Sequence, residues 1–323
     1  MKIKKLVFFV CLLLVFVFFT GCASSGSATK SVIYEHEDRM HWEITSPTGT
    51  SVHVLGTIHV GEEEPLPINE KLLNTFLQAD IIYGELSTFD LAKTSNAMVS
   101  FLEKTLIMDD QGNPVSITEF ITEKEAEMLK LILSLGGATE EQVQSALFMP
   151  PWYWNNSLEQ GLIQACGYYP NTGIDLYLYD IAAKNNLVVL GLDSLETQLN
   201  LLNYGSVEDQ VFLLKDKLKS ILNLEAYQEE LDSLYNSFRD DEKEILTSSL
   251  YPNLFSIEGL SQNYIMGYYE NLIAKRNSSW AEQIAEMLKQ EGKTFFIFAG
   301  AAHWLCEPSV FDFLVDQEVA VWE

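Results

Sequence analysis

The sequence has few cysteines and few basic residues. Its 323 residues include four cysteines, whose spacing fits no zinc-binding motif. Only 20 lysines and arginines stand against 46 aspartates and glutamates, which gives a formal net charge of −26. Nucleic acid is a poor partner for so acidic a chain, and an anionic membrane surface would repel it. The composition therefore argues against zinc-finger and nucleic-acid-binding classes.

One long apolar run is present, and it lies near the amino terminus. Lys2, Lys4 and Lys5 precede an uninterrupted apolar stretch at residues 6–19. This pattern is typical of a secretory signal peptide, which we predict over residues 1–21, and the stretch is short for a membrane span. Removal of this segment takes away three lysines and makes the mature chain still more acidic.

The residues that follow predict a lipid anchor. Phe19-Thr20-Gly21-Cys22 resembles a bacterial lipoprotein processing site, and small residues come next. We predict that Cys22 is lipidated and that residues 22–31 form a flexible tether. Several acyl chains on one cysteine anchor a protein stably. The domain is therefore expected outside the cytoplasm, held to the plasma or outer membrane of a bacterium.

The remainder of the chain is long enough to bury a large core. No low-complexity linker follows Ser31, so we predict one α/β domain over residues 32–323. Its central sheet is expected to be mixed and largely parallel with flanking helices, and helical insertions are predicted at about 91–170 and 205–265. Cys166 and Cys306 remain after export; they are either small buried residues or one disulfide.

Two short stretches share one pattern. In each, an apolar run of strand length ends in a glycine, and a histidine follows three residues later, giving Gly56 with His59 and Gly300 with His303. Open α/β sheets bind ligands just beyond the carboxyl ends of their strands. The two histidines are thus expected to share one site. His36, His41 and His53 lie in the first extended stretch without such a context, and a strand face is their expected position.

Acidic residues follow two further predicted strands. A hairpin at residues 42–55, a helix and a strand at 81–86 predict a parallel crossover that sets Glu85 beside the strand of His59. A carboxylate there is costly unless it is paired or coordinates something; a solvated edge position is the alternative. The strand predicted at 187–192 directs Asp193 and Glu196 toward the same crevice.

Two features are open to more than one interpretation. An aromatic cluster is predicted either to line a groove for an extended peptide or sugar or to form the core of the insertion; it comprises Trp152, Tyr153, Trp154, Tyr168 and Tyr169. Arg276 is interpreted as an oxyanion or carboxylate ligand or as a structural ion-pair partner. Asn277 is read as the N-cap of a helix over residues 278–290.

Taken in order, these segments resemble the TraB/GumN family, which includes the Tiki proteases of animals and the pheromone-shutdown proteins of bacteria. The matching pieces span nearly the whole mature chain and lie at residues 55–61, 83–86, 173–178, 191–199, 276–277 and 300–303. Two departures concern the site. Asp193 stands where the family usually has glutamate, and the residues after His303 differ from the usual turn.

The resemblance implies an erythromycin-esterase-like or ChaN-like α/β fold and, for the Tiki branch, a metal-dependent peptidase. Carried over, it makes His59, Glu85 and His303 the metal ligands. Two imidazoles and a carboxylate leave an open coordination position for a water. The donor types do not choose among Mn, Co and Zn. Second-shell or general-base candidates are Glu62, Asp175, Asp193 and Glu196, with Asp175 and Glu196 preferred.

We therefore predict a membrane-tethered, extracytoplasmic metal-dependent hydrolase, a Tiki-like metallopeptidase with a peptide or protein substrate. One alternative is a lipoprotein that sequesters a peptide pheromone or haem without turnover, with His59 or His303 as an axial haem ligand. Another is a structural envelope lipoprotein. In that case substitution of either histidine would change stability but no ligand binding.

Overall fold

The structure is a computed structural model, and it describes residues 30–255 and 259–323, with side chains to residue 250 and again from 259. The predicted signal peptide, the lipidated Cys22 and all but the last two residues of the tether lie outside these ranges. Within the described part, no helix combines the length and apolar character needed to cross a membrane.

A single mixed sheet forms the centre of the part of the chain that the structure describes. Its seven strands are β1 (Ser31–Glu35), β2 (His41–Thr45), β3 (Ser51–Thr57), β4 (Ile81–Gly84), β5 (Val189–Gly191), β6 (Thr294–Gly300) and β7 (Ala320–Trp322). They lie in the order β5-β4-β6-β3-β2-β1-β7. β5, β4, β6 and β3 are parallel, β2 is antiparallel to both β3 and β1, and β7 is parallel to β1. The predicted α/β class with a mixed, mostly parallel sheet is confirmed.

Helices surround this sheet. They are α1 (Glu70–Gln78), α2 (Thr88–Thr105), α3 (Glu123–Leu135), α4 (Glu140–Ala146), α5 (Pro151–Ala165), α6 (Ile174–Lys184), α7 (Leu195–Leu202), α8 (Val207–Leu222), α9 (Leu224–Arg239), α10 (Lys243–Phe255), α11 (Gln262–Tyr269), α12 (Lys275–Leu288), α13 (Ala302–Leu305) and α14 (Val310–Asp316). Short 3₁₀ turns lie at Ile117–Glu119 and Pro170–Thr172. A π-helical turn at Glu270–Ala274 joins α11 to α12.

The strand β6 is the most buried element of the sheet. It is an apolar run in which Phe295, Phe296, Ile297, Phe298 and Ala299 are at most 1% exposed. It pairs with β3 on one side and β4 on the other. The prediction that the strand of Glu85 lies beside that of His59 is therefore wrong. A strand from the far end of the sequence separates them, because only such a fully apolar run can be covered on both faces and both edges.

A second hydrophobic cluster lies apart from the sheet, among helices. Its buried members include Leu129 of α3, Trp154 and Leu158 of α5, and Leu214 of α8. It includes residues from both segments predicted as helical insertions. The cap of α3 follows the sequence signal, since Thr122 and Glu125 form a capping box.

The aromatic cluster lines no open groove. Trp152 and Trp154 are each 1% exposed and Tyr168 is 5% exposed, so these rings pack in the interior. Tyr153 is half-buried and Tyr169 is 38% exposed. The core interpretation of the cluster holds and the groove interpretation is wrong, because the helix α5 turns its tryptophans inward. Cys166 and Cys306 are both buried free thiols, so they form no disulfide here.

The carboxyl ends of the parallel strands meet at one edge. Thr57 is the register partner of Gly300, and Gly84 is the partner of Gly191. The residues just beyond these positions, including Glu85, therefore emerge together at that edge, where open α/β sheets form their crevices.

Candidate functional site

His59 is held at the crevice by Asp175, from the first turn of α6. The Oδ2 atom of Asp175 lies 2.9 Å from Nδ1 of His59, and its Oδ1 accepts from the hydroxyl of Thr57. Because a carboxylate only accepts, Nδ1 of His59 carries a proton, and Nε2 is the nitrogen left to exchange a proton or bind a ligand. The His59 side chain is 68% exposed, so this nitrogen is open to the crevice.

A glycine permits this arrangement. A Cβ atom at Gly173 would lie 2.5 Å from the carbonyl carbon of His59, closer than real contacts allow. With glycine there, the backbone N–H of Ile174 donates to the carbonyl of Ile58 at 3.0 Å. The start of α6 is thereby fixed against the end of β3, which brings Asp175 within reach of His59.

Glu85 follows β4 and faces His59. Its Oε1 atom accepts from the backbone N–H of Gly300 at 2.9 Å and lies 3.9 Å from Nε2 of His59. Its Oε2 atom accepts from Arg276 at 2.6 Å and from Gln198 at 3.1 Å. Both oxygens are therefore fixed in direction, and Oε1 is the one turned toward His59.

Arg276 lies at the centre of the site and is 6% exposed. Besides Glu85, its guanidinium donates through Nε to Asp193 at 2.7 Å and through Nη1 to Nε2 of His303 at 2.9 Å. Trp280 lies under the guanidinium, and its indole N–H donates to the second oxygen of Asp193 at 2.9 Å. Arg276 thus joins residues from the segments after β4 and β5 and from α13.

His303 occupies a different environment from His59. Its Nδ1 atom lies 2.5 Å from Oδ1 of Asn277, whose amide nitrogen donates to the carbonyl of Pro308. The amide oxygen must therefore accept, so Nδ1 of His303 carries the proton and Nε2 accepts from Arg276. The residue is 4% exposed. Both ring nitrogens of His303, a predicted metal ligand, are thus engaged within the protein, and Nε2 faces the guanidinium of Arg276.

The electrostatics of the three groups differ accordingly. Burial disfavours the charged form of Glu85, but Arg276 and then His59 and His303 outweigh it and lower the pKa of Glu85 to about 2. Burial, reinforced by Arg276, lowers the pKa of His303 to about 3. The carboxylate of Asp175 raises the pKa of His59 above its usual value of 6.5. At neutral pH Glu85 is ionised, His303 is neutral and His59 is cationic.

A cavity of about 460 Å³ opens beside His59 and Glu85. Apart from these two residues and Asp175, its walls are mainly apolar, with two amides and a tyrosine among them. The lining comprises Val60, Leu86, Leu91, Gln160, Ile163, Pro170, Leu176, Tyr179 and Gln198. A site of this size and character accommodates a side chain or a short segment of a larger ligand.

The structure brings most of the predicted site residues together, but not all. His59, Glu85, Asp175, Asp193, Arg276 and His303 form one connected hydrogen-bonded cluster with a single gap of 3.9 Å. Glu62 and Glu196 are exposed. The residue of α7 that reaches Glu85 is Gln198, two positions after Glu196, so the prediction took the wrong face of that helix.

Asn277 is a further correction. It is fully buried within α12, which begins at Lys275, so it is not an N-cap. Its side chain instead orients His303. The sequence gives little indication that Gln198, Asn277 and Trp280 belong to the site, because each contacts site residues that are far away in the chain. Within the described residues, no three histidine, cysteine, aspartate or glutamate side chains form a ready-made metal site.

The model of the TraB/PrgY/gumN family matches residues 40–321. An uncharacterized protein of Treponema pallidum (strain Nichols) is 30% identical over 313 residues, which make up 95% of this chain and 89% of that protein.

More distant relatives cover slightly less of the chain. The uncharacterized protein YbaP of Escherichia coli (strain K12) is 23% identical over 265 residues, or 81% of this chain and 86% of that protein. YbaP of Shigella flexneri matches to the same extent. No solved structure gives a significant match. The family model and the treponemal relative each span most of the sequence, and the chain therefore belongs to the TraB/PrgY/GumN family.

Proposed function

We propose that this protein is a metal-dependent hydrolase, in particular a Tiki-like metallopeptidase that cleaves a peptide or protein substrate. The observation that carries the proposal is the pair formed by His59 and Glu85. Nε2 of His59 and Oε1 of Glu85 face each other across 3.9 Å at the wall of the cavity. Hydrogen bonds to other atoms of each side chain, Nδ1 of His59 and Oε2 of Glu85, hold it in place, as is typical of reacting or ligating groups.

The charges of the site suit a divalent cation. Three carboxylates, those of Glu85, Asp175 and Asp193, surround the one guanidinium of Arg276. Because the pKa of His59 is raised, a metal ion would displace the proton from its Nε2 atom. With both histidines then neutral, the carboxylates exceed the guanidinium by two negative charges, which a divalent ion at His59 and Glu85 would balance. When bound, such an ion lowers the pKa of a coordinated water and polarises a carbonyl. Mn, Co and Zn all accept these nitrogen and oxygen donors.

The role of His303 as a third ligand stays a prediction. Ligation through its Nε2 atom requires Arg276 to leave that nitrogen, where it donates at 2.9 Å. We therefore assign the resting site to His59 and Glu85. In this assignment His303 and Asp193 orient Arg276, and Arg276 holds Glu85 ionised and in place.

The remaining residues have roles that follow from their contacts. Asp175 keeps the proton on Nδ1 of His59, so that Nε2 accepts a proton or a ligand bond. Gln198 donates to Glu85 and so fixes the carboxylate from the cavity side. The apolar walls exclude water from the far part of the cavity and favour an apolar group of the substrate there. Glu196 has no part in this proposal because it is exposed.

A sequestering protein is the rival function. Its haem-binding form loses support, because Trp152, Trp154 and Tyr168 of the proposed slot are packed in the interior. Its peptide-binding form uses the same cavity without turnover. Incubation with a peptide library separates the two, since the hydrolase yields fragments and the sequestering protein returns intact peptide.

The metal content of the purified full-length protein tests the proposal. We expect one equivalent of Mn, Co or Zn in the wild type after metal-replete, oxygen-free preparation, and loss of that metal in His59→Ala and Glu85→Gln. Glu196→Gln is the matched control, because it removes an exposed carboxylate near the site, and it should keep the metal. A wild type that binds none of the three ions would overturn the proposal.

We also propose that the protein is exported and anchored by lipid on Cys22. The supporting observations are the apolar run at residues 6–19 and the Gly21-Cys22 pair with its small-residue tether. Metabolic labelling with palmitate and membrane fractionation test this. Wild-type protein should carry the label and pellet with membranes, and Cys22→Ser should carry none; a labelled Cys22→Ser variant would contradict the assignment.

A further inference from the structure

Three of the five histidines of the chain lie outside the candidate site and contact one another. The rings of His36 and His41 stack with centroids 4.2 Å apart and planes inclined by 10°, and those of His41 and His53 lie 5.6 Å apart at 26°. We call these three residues the histidine stack. His36 lies in the β1–β2 turn, His41 at the start of β2 and His53 on β3. Neither the sequence motifs nor the proposed function assigns the stack a role.

The hydrogen bond within the stack depends on protonation. Nε2 of His41 lies 3.3 Å from Nδ1 of His53. One of these nitrogens must donate and the other accept, so at least one ring must be neutral. If both rings are charged, two N–H groups point at each other and the bond becomes a repulsion.

Burial keeps His41 neutral. The residue is 5% exposed, and among the described residues its Nδ1 atom has no hydrogen-bond partner; Oδ2 of Asp38 lies 3.7 Å away. A charge there would be poorly solvated. Burial, with smaller contributions from His36 and His53, lowers the pKa of His41 to about 3. Burial also lowers the pKa of His53.

The charged groups around the pair come from several elements. Asp38 of the turn lies near His41, and Glu43 of β2 lies 3.8 Å from His53 and 3.2 Å from His36. These carboxylates favour protonation. Lys71 of α1 opposes it for both buried rings. Burial outweighs the carboxylates, so the pair is neutral near pH 7.

The stack adjoins a junction of the fold. Met40, next to His41, accepts at its carbonyl from the N–H of Gly56 at 2.8 Å and donates its own N–H to Asp241 at 2.9 Å. The turn between β1 and β2 is thereby tied to β3 and to the segment after α9. Gly56 lies three residues before His59, so its hydrogen bond to Met40 links the β1–β2 turn to the segment that carries His59.

We propose that the buried pair His41 and His53 is an acid-sensitive latch that holds the β1–β2 turn against β3 and releases it when the pair takes up protons. The unfolded or open chain exposes ordinary histidines, which titrate near 6.5. The latched state binds fewer protons than the open one, so it is stable above that pH and loses stability as the pH falls below it. This inference does not depend on the proposed hydrolase activity.

The first test compares unfolding of the full-length protein at pH 7 and pH 5. For one histidine held neutral, the unfolding equilibrium constant should rise by roughly 20-fold over this interval. His41→Gln keeps a polar amide but cannot titrate, so its rise should be smaller than that of the wild type by about this factor. His36→Gln is the matched control, because that ring is partly exposed, and it should keep the wild-type rise. An unchanged rise in His41→Gln would overturn the latch.

Two measurements on the wild type stand even if a variant fails to fold. Histidine ¹⁵N spectra should show His41 neutral at pH 5, and titration of His41 near pH 6.5 in the folded protein would overturn the proposal. Amide exchange, corrected for its intrinsic pH dependence, should accelerate at Gly56 on going from pH 7 to pH 5 relative to Ile297 of β6. Equal changes at the two amides would show that acid acts elsewhere.

Discussion

The two Gly-x-x-His segments have the same sequence pattern and opposite environments. His59 is 68% exposed at its side chain and offers Nε2 to the cavity, whereas His303 is 4% exposed and has both nitrogens engaged inside the protein. The strand and glycine place each histidine beyond the end of a parallel strand. The helix that packs behind it then decides its role: α6 supplies a carboxylate to His59, and α12 supplies an arginine and an amide to His303.

The largest loss of stability is expected from replacing Arg276, whose guanidinium contacts His303 and so distinguishes its environment from that of His59. Arg276→Met leaves Glu85 and Asp193 buried without their cation, and we expect it to lower the free energy of unfolding by about 3–5 kcal/mol. Urea unfolding measures this. Lys275→Met is the control, since Lys275 has a side chain that is 59% exposed, and it should change little. A loss below about 1 kcal/mol in Arg276→Met would contradict the central position of the guanidinium.

The two histidines should respond differently to the same substitution. His303→Ala leaves a donor of Arg276 and the oxygen of Asn277 unsatisfied in the interior, which should cost about 2–4 kcal/mol of unfolding free energy. His59→Ala removes an exposed ring and should stay within about 1 kcal/mol of the wild type. Thermal and urea unfolding measure both losses of unfolding free energy, and equal losses in the two variants would contradict the difference between the two environments.

Removing the carboxylate behind His59 should weaken metal binding more than folding. Asp175→Asn takes away the acceptor that keeps the proton on Nδ1, and such orienting partners typically contribute 10–100-fold in metal affinity. Calorimetric titration with Zn²⁺ or Mn²⁺ gives this ratio, and Glu196→Gln should match the wild type. Wild-type affinity in Asp175→Asn would show that Asp175 has no orienting role.

The pH dependence of the two histidines should also differ. The pKa of His59 is raised, so metal must displace its proton, and the metal affinity should fall by up to about tenfold for each pH unit below that pKa. The pKa of His303 is lowered to about 3, so His303 is neutral in the folded protein from pH 5 upward. The stability that it contributes is present above about pH 6.5 and declines as the pH falls toward 3. Titration of both rings by ¹⁵N spectroscopy checks the order, which would be reversed if His303 took up a proton first.

The sequence predicts most strands of the sheet and the residues at their ends, because these follow from local signals, although β1 is not predicted. Short runs rich in aromatic and β-branched residues identify β3 and β6, and the residues after them are read directly. The position of β6 between β3 and β4 is not local. It pairs residues more than 200 positions apart, and no short-range pattern specifies which parallel strand lies next to which.

The roles within the site are harder to predict for the same reason. His59 and His303 look alike until α6 and α12 are in place. Glu196 is predicted as a site residue, but the residue of α7 that contacts Glu85 is Gln198, two positions later and about half a turn away. The N-cap assigned to Asn277 failed because a π-helical turn joins α11 directly to α12, so no helix begins there.

The most direct test of the account is a titration of ¹⁵N-histidine-labelled protein with Zn²⁺, a diamagnetic ion, at neutral pH. The account predicts that Nε2 of His59 changes its chemical shift in proportion to bound zinc, with loss of the His59 proton, while Nε2 of His303 keeps the shift of a nitrogen that accepts from Arg276. Equal changes at the two histidines would show that they share the metal and that Arg276 yields its place. No change at His59 would contradict the proposed site.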